Sequence, residues 1–414
     1  MSHRPRLSFV AAVAAPLALL LVSQRPALAQ SPFSISAQTT TGTPTQATVS
    51  GSSVVDLVDN LIESQQQFAG FQNQAFDASL NYGAINNAIQ FQRNAAGTSA
   101  TVSIPSTGFT RTFTGTSEAD VRKKIEDFLV KEGAHEYAKF LKTVNQRSLL
   151  GVTDGNPQAA TALLSNSAFF RFGLQRSPLD ARSLAGTTPS GAGLRFDATA
   201  GLIDTDEGDG YYINGTLATV ARLGDRIGLA FASPFSYRDV EGAQVYMGGI
   251  EAALPIVLVK PMMGRGLVWQ VTPDVIGAAA GSVDMAAGGT FFGGGVTSSL
   301  SVPFGDTAAI TIGNGIYLFE GYPLDIAGYS WDTDLSQQVF KNGIKLTQNL
   351  GPVYLDAGAT YTNFLQDAAV KNYWTPTIGI GTGAGSVGIR VAYQGDFADG
   401  YRSHGGNVSI YLNY

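Results

Sequence analysis

His135 and His404 are the histidines left once the first ~29 residues are set aside, and neither stands in a catalytic spacing. His135-Glu136 opens like H-E-x-x-H, but the next position on that helical face is Lys139, so the zinc-binding pair is not completed. His404 directly follows Ser403, and neighbours on an extended chain point to opposite faces, which separates them as base and nucleophile. There is no cysteine and no G-x-S-x-G nucleophile elbow. Asp204, Asp206 and Asp209 lie close enough in Asp204-Thr205-Asp206-Glu207-Gly208-Asp209-Gly210 to be a candidate Ca²⁺ set. The EF-hand spacing and its distal Glu are missing, so the run reads first as an acidic, solvated hairpin tip. The glycine runs Gly293-Gly294-Gly295 and Gly379 to Gly385 open no helix that could hold a phosphate, and are expected to relieve crowding in strands or turns. With no catalytic constellation and no cofactor or metal motif, the chain is expected not to be an enzyme.

A different set of residues has a regular spacing. Arg195, Asp197, Arg222, Arg226, Glu251, Asp274, Lys341, Lys345, Asp356 and Arg390 all fall in segments of period two, on the face opposite an apolar one. Leu194/Phe196/Ala198, Val353/Leu355/Ala357/Ala359 and Val387/Ile389/Val391/Tyr393 exemplify the apolar face. The chemistry such charges support is the lining of a passage: a charge facing hydrocarbon at mid-membrane costs about 2–4 kcal/mol, so a membrane wall keeps it inward. About twelve segments follow this pattern, near 194–202, 210–222, 226–237, 244–258, 266–278, 290–302, 308–319, 338–349, 352–362, 373–382, 386–394 and 406–414. Each is close to the ~9–11 residues of a tilted strand crossing a bilayer. The segment at Lys341 fits least well, because Asn342 and Gln348 fall in its lipid register.

Aromatic residues add a second pattern. Phe235, Tyr237, Tyr246, Phe292, Tyr361, Trp374 and Tyr393 alternate between strand ends and strand starts along the chain, all in the apolar register. That is a girdle at one membrane boundary. Trp269 and Tyr414 fall at the other. Connections are short on the side of Gly224-Asp225, Pro303 to Asp306, Gly351 and Gly383 to Gly385. On the girdle side Ile203–Asp209, Glu320–Gln337, Leu365–Asn372 and Gly395–Gly405 are expected as longer loops, while Val259–Arg265 is long for its side.

The final strand carries a family resemblance. Val408, Ile410, Leu412 and Tyr414 alternate with Asn407, Ser409, Tyr411 and Asn413, and the chain stops on an aromatic ring. This resembles the C-terminal strand of Gram-negative outer-membrane β-barrels, and only this short segment carries the resemblance. It implies that 193–414 is a closed antiparallel transmembrane β-barrel, that this strand is its signal to the barrel-assembly machinery, and that the surroundings are outer-membrane lipid. The other end of the chain agrees. Arg4 and Arg6, the apolar run Phe9 to Val22 and Ala27-Leu28-Ala29 form a secretory signal over 1–29. A soluble sandwich or lipocalin-type barrel shares the period with the faces exchanged. The signal, the terminal strand, the girdle and the loop asymmetry argue against it.

The fold class is therefore mainly β, a barrel of about twelve strands preceded by a small α+β domain. Residues 30–52, rich in Thr, Ser and Gln, are expected to be flexible. Residues 53–176 read as the α+β unit. It comprises a helix from Ser53, a hairpin over Ala100–Ile104 and Thr110–Phe113, and a helix capped by Ser117 and Asp120. A helix through Tyr137 and Val144 follows, then one from Asn156-Pro157 to Phe170. Residues 177–192, with Pro178, Gly186, Pro189 and Gly191, form a linker. An even strand count returns both barrel ends to the periplasm, where the α+β unit is also expected.

A net charge of −6 and the absence of a basic block exclude nucleic acid as a partner. The function expected is a pore or conduit for small solutes, partly obstructed by Glu320–Gln337. A barrel preceded by a helix, Pro157 to Phe170, also resembles autotransporter-like secretion, with an exported segment in the lumen. A filled structural or adhesive barrel is the third reading.

Overall fold

A computed structural model describes residues 31–174 and 192–413 apart from 43, 84, 132, 225, 260–265, 306, 323, 327–328, 332–333 and 383–386. The expected signal at 1–29, the linker up to Ala192, the turn residues Asp225, Asp306 and Gly383 to Gly385, residues 260–265 and the terminal Tyr414 lie outside the described residues.

The amino-terminal unit is a two-layer structure. Strands β1 (Phe33–Thr39), β2 (Gln46–Gly51), β3 (Phe76–Tyr82), β4 (Ile85–Arg93), β5 (Ser99–Ile104) and β6 (Phe109–Thr114) form an antiparallel sheet in the order β2-β1-β3-β4-β5-β6. The flexible segment expected at 30–52 is thus two paired strands, with Phe33, Ala37, Ala47 and Val49 buried. Their apolar residues are few but alternate, and β1 is held by β3, a partner remote in sequence that local composition does not reveal. Helices α1 (Val54–Glu63), α2 (Glu118–Lys131) and α3 (Ala134–Arg147) cover one face. The α2 cap is reciprocal: Asp120 N–H donates to Ser117 Oγ at 3.2 Å, and Thr116 N–H donates to the Asp120 carboxylate at 3.0 Å. That second bond, followed by Lys124, holds the Asp120 carboxyl below its usual range.

Beyond residue 192 the chain is a wall. Its strands are β7 (Ala192–Thr205), β8 (Gly208–Arg222), β9 (Gly228–Val240), β10 (Ala243–Ala253), β12 (Val268–Ser282), β13 (Ala287–Phe304) and β14 (Ala308–Tyr322). They continue with β17 (Ser336–Asn349), β18 (Val353–Phe364), β19 (Asn372–Thr382), β20 (Val387–Ala398) and β21 (Tyr401–Asn413). A break at Leu254-Pro255 sets off a short β11 (Ile256–Val259), which carries the line of β10 onward beside β12. A hairpin of β15 (Leu324–Ile326) and β16 (Tyr329–Trp331) lies in one connection. Neighbours pair antiparallel in sequence order, and β21 pairs with β7, so twelve strands close on themselves.

The faces are assigned as in a membrane barrel. Outward residues of β14 are Ile310, Ile312, Ile316 and Leu318, while Thr311 and Tyr317 point inward and are fully buried. Ile250 and Ile378 are 72% and 61% exposed on the outside, and inward Lys341 is 0% exposed. A soluble barrel would reverse this. No water-facing wall would display so continuous an apolar exterior.

The barrel has two unlike mouths. At one, β7 starts and β21 ends. At the other, β7 and β8 meet at a two-residue tip, Asp206-Glu207, β9 and β10 at Glu241-Gly242, and β20 and β21 at Asp399-Gly400. The long loops expected at Ile203–Asp209 and Gly395–Gly405 are therefore strand. Strands run to 18 residues in β13, longer than a bilayer requires, and rise past the aromatic level as a collar. Sequence reading stopped where the apolar exterior stops, but pairing continues.

Candidate functional site

The site is the lumen, and residues 148–174 run through it. The amino-terminal unit sits on the collar. Val54 N–H donates to Asp284 O, Tyr82 Oη to Met285 O at 2.7 Å and Tyr137 Oη to Ala286 O at 2.6 Å, all on the β12–β13 tip. Burial pushes the Tyr137 phenol up to about 12 and Tyr82 well above its ordinary range, so both remain donors at physiological pH. Lys142 of α3 pairs with Asp334 at 3.0 Å, and the β15–β16 hairpin leans on α3. Glu207, at the β7–β8 tip, accepts Ser148 Oγ and Leu149 N–H, both at 2.6 Å.

From that clasp the chain turns into the barrel. Gly155, at φ +90°, adopts a left-handed conformation against the backbone of Asn145, and its carbonyl accepts Val370 N–H at 2.8 Å. Arg238, inward on β9, donates to Asn156 Oδ1 and Leu150 O at 3.0 Å each and to Gly151 O. Gln337 donates to Asp154 at 2.7 Å, and Gln158 bridges Asn214 and Asp396. A helix, α4 (Ala160–Phe169), then descends, followed by a π-turn over Phe170–Leu174. The expected start at Asn156-Pro157 is later by about a turn: Ala159 is the N-cap, and Asn156 instead braces the approach.

The helix is Ala-Thr-Ala-Leu-Leu-Ser-Asn-Ser-Ala-Phe, apolar or small on every side, which suits burial all round rather than a solvent face. Its neighbours are wall residues from many strands. Lys341 donates to Asn166 Oδ1, with Thr362 Oγ1 at 2.9 Å and the Tyr373 ring 5.6 Å away. Ser167 bonds Thr216 at 3.0 Å, and Ser299 Oγ donates to Gly173 O at 2.8 Å. Arg171 makes a buried ion pair with Glu251, beside buried Asp274. Where α4 passes closest, the wall is bare. A Cβ on Gly313, Gly315 or Gly343 would meet Phe169 or Leu174 at 2.5–3.1 Å.

Three expectations meet this geometry and change. The obstruction is α4 and the π-turn, not Glu320–Gln337, whose described ends lie on the collar. The unit expected at 53–176 divides, because residues 148–174 belong to the lumen. Furthermore, the unit covers the mouth opposite the one at which β7 starts and β21 ends, whereas it was expected on the side of the barrel's own ends.

Of the sequence-derived lining set, Glu251, Asp274, Lys341, Lys345, Asp356 and Arg390 are buried inside the wall. Arg390 grips Asp356 through two bonds, the longer 2.7 Å, and Arg195 pairs with Asp197 at 2.6 Å. Arg222 is half-buried at the lower rim, and Arg226 is exposed in the turn, with a bond to Leu258 O at 3.4 Å, so it lies outside the strand wall. Phe235, Tyr246, Phe292, Trp374 and Tyr393 are exposed on the outside, with Tyr237 and Tyr361 half-buried there. Rings of Tyr237 and Tyr246 are 5.1 Å apart, and those of Tyr361 and Trp374 5.0 Å. Val408, Ile410 and Leu412 face outward on β21 between β20 and β7. Asp204 and Asp209 are cross-strand neighbours on the exterior, Asp206 turns toward the Asp399-Gly400 tip, and Glu207 holds the clasp. Among the described residues no three metal-ligating groups converge, so this set does not assemble a Ca²⁺ site. His135 is exposed on α3. His404 faces out against Tyr393 Oη at 2.6 Å while Ser403 is buried inward on Asp396.

Sequence reasoning missed Arg171, Arg238, Asp396 and Glu207. Arg238 and Asp396 share the inward register of β9 and β20, and extending those segments past 237 and 394 would have found them. For Arg171 the signal was the helix without a polar face.

No known family profile matches the sequence, and no curated protein does. Solved structures show similarity to the barrel. The translocator domain of autotransporter NalP from Neisseria meningitidis is 14% identical over 61% of this chain and 97% of its own, with a TM-score of 0.44. The transport unit of autotransporter AIDA-I from Escherichia coli is 8% identical over 60% and 97%, TM-score 0.39. The Ralstonia pickettii toluene transporter TbuX is 9% identical over 56% and 90%, TM-score 0.33. At such values the likeness carries no functional argument. Twelve strands closed into a cylinder, an apolar exterior and a polar, chain-filled interior make this chain an outer-membrane β-barrel with no specific family assigned.

Proposed function

We propose that the barrel is an outer-membrane conduit whose cargo is the amino-terminal unit of its own chain, carried to the cell surface and then held there. The observation that carries this is continuity: residues 148–174 run from the collar mouth down the lumen toward the mouth where β7 begins. In this reading the secretory signal at 1–29 brings the chain into the periplasm of a Gram-negative cell. The barrel-assembly machinery reads β21 from that side, and the unit at 33–147 ends outside. Six strands and three helices folded together exceed the bore of a twelve-stranded barrel, so the unit crosses unfolded and folds on the collar. The role is transport and display rather than catalysis.

Protease added to intact cells is expected to remove residues up to about 147 and leave a resistant barrel that retains α4. If the unit is cut only after the periplasm is opened, the surface reading is overturned. Replacing Leu412 with Asp and deleting Tyr414 is expected to abolish the heat-modifiable form while export into the periplasm continues, since a carboxylate on the lipid face of the closing strand is costly. Normal barrel levels in that variant would exclude β21 as the assembly signal.

A second reading, a gated pore for small solutes, draws on one observation. Beside α4 a polar gap remains, lined by Asn166, Asp197, Asn214, Gln394, Asp396 and Asn407.

A further inference from the structure

Well inside the membrane belt the apolar exterior carries two amide side chains on adjacent strands, whereas outward Ser233 of β9 has its hydroxyl bonded to Gly249 O at 3.2 Å. Asn342, between Phe340 and Ile344 on the outward face of β17, sits directly opposite Asn314 on β14, itself between Ile312 and Ile316. The row extends across two more strands. Ser298 of β13 is opposite Asn314, and Tyr361 of β18 is opposite Asn342. Ser298 accepts a bond from Trp269 Nε1 at 3.0 Å. Neither Asn side chain makes a hydrogen bond among the described residues, although they face one another across the strand pair.

Lipid tails offer no donor or acceptor, and an amide in hydrocarbon is costly until it is bonded. The row is bracketed by aromatic residues, Trp269 toward one rim and Phe340 toward the other, which places the amides below headgroup reach. The wall on the far side of the cylinder has no such residues: β7 shows Leu194, Phe196, Ala198 and Ala200 outward. The polar feature is thus local to the β14–β17 face. An Asn side chain both donates and accepts, so two adjacent amides are complementary to the same two amides on a copy turned about a two-fold axis. Ile312, Ile316, Ile344 and Leu346, all exposed around the pair, supply the packing surface.

We propose that the protein forms an isologous dimer in the membrane through β14 and β17, with Asn314 and Asn342 of each copy bonded to those of the other. A single self-complementary patch closes at two copies and does not propagate. The proposal rests on the membrane reading of the barrel but not on what the lumen carries.

The absence of native cysteine makes the test clean. In native outer membranes, the single variant Ile344→Cys is expected to give disulfide-linked dimers under oxidation, and Leu217→Cys on the opposite wall is expected to give none. Light scattering of the purified, heat-modifiable protein in mild detergent is expected to show dimers. Asn314→Leu with Asn342→Leu should weaken self-association about tenfold or more, the scale of a few membrane hydrogen bonds. That variant must keep its heat-modifiable migration, which reports a folded barrel independently of its partner. Folded wild type that is monomeric in detergent and fails to cross-link through residue 344 overturns the proposal. So does a folded double Leu variant that dimerises as tightly as wild type.

Discussion

Arg171→Glu is expected to expel α4 from the barrel and open it. Arg171 and Glu251 are both almost fully buried, with Asp274 beside them, and the guanidinium also donates Nε to Ser167 O at 3.0 Å. Removing one member of such a pair leaves a charge without its counter-ion and costs about 3–5 kcal/mol, so Arg171→Ala is already severe. Reversal sets three carboxylates together and costs more. Besides this pair the plug is held by neutral or singly charged bonds of about 0.5–3 kcal/mol each and by the burial of Leu164, Phe169 and Leu174, none of which offsets a charge left unpaired beside Glu251. In planar bilayers the purified wild type is expected to be nearly silent, and Arg171→Glu to give steady, salt-dependent channels. Combining it with Glu251→Arg should restore much of the closure. If Arg171→Glu is as silent as wild type while folded, the ion pair is not what retains the plug.

Gly155→Ala carries the second large effect. An added Cβ would lie 1.7 Å from Asn145 O, and the φ of +90° is itself strained by about 1–3 kcal/mol for a residue with a side chain. The obstacle is the backbone of α3, not a side chain that could swing away, so the turn must open. Opening it frees Val370 N–H from Gly155 O and loosens the β18–β19 loop. The expected loss is at least about 3 kcal/mol, concentrated where the unit meets the collar. Limited proteolysis should shift to sites between residues 147 and 160 while the barrel keeps its heat-modifiable form. Unchanged cleavage there would show that the turn tolerates the substitution by another route.

The wall was legible because strands in lipid obey one rule at every second residue, and each of the twelve segments read from that rule coincides with a barrel strand. Lys341 was assigned inward despite Asn342 beside it, and the structure keeps both where the register put them. The occupant of the lumen was not legible. Ala160–Phe169 is a helix by pattern, but its place inside depends on wall glycines scattered from residue 313 to 343, a relation no local window contains. The mouth over which the unit sits was hidden for the same reason. It depends on threading, and period two is silent about which way a chain passes through a ring. The collar escaped because its strands leave hydrocarbon and lose the apolar alternation while keeping their ladder bonds.

The clasp at Glu207 and the buried helix also define a load path. A pull applied to the amino-terminal unit meets the contacts that hold residues 148–174 in the lumen before it can reach β7. The tip contacts of Tyr82, Tyr137, Lys142 and Glu207 take the strain first. Behind them, Arg238 and Arg171 hold the threaded segment at two depths, and the wall that holds them is a closed hoop without an edge from which to peel. The amino-terminal unit is thus held at the rim and again, deeper, inside the wall. It yields to tension in stages, rim first and buried arginine last.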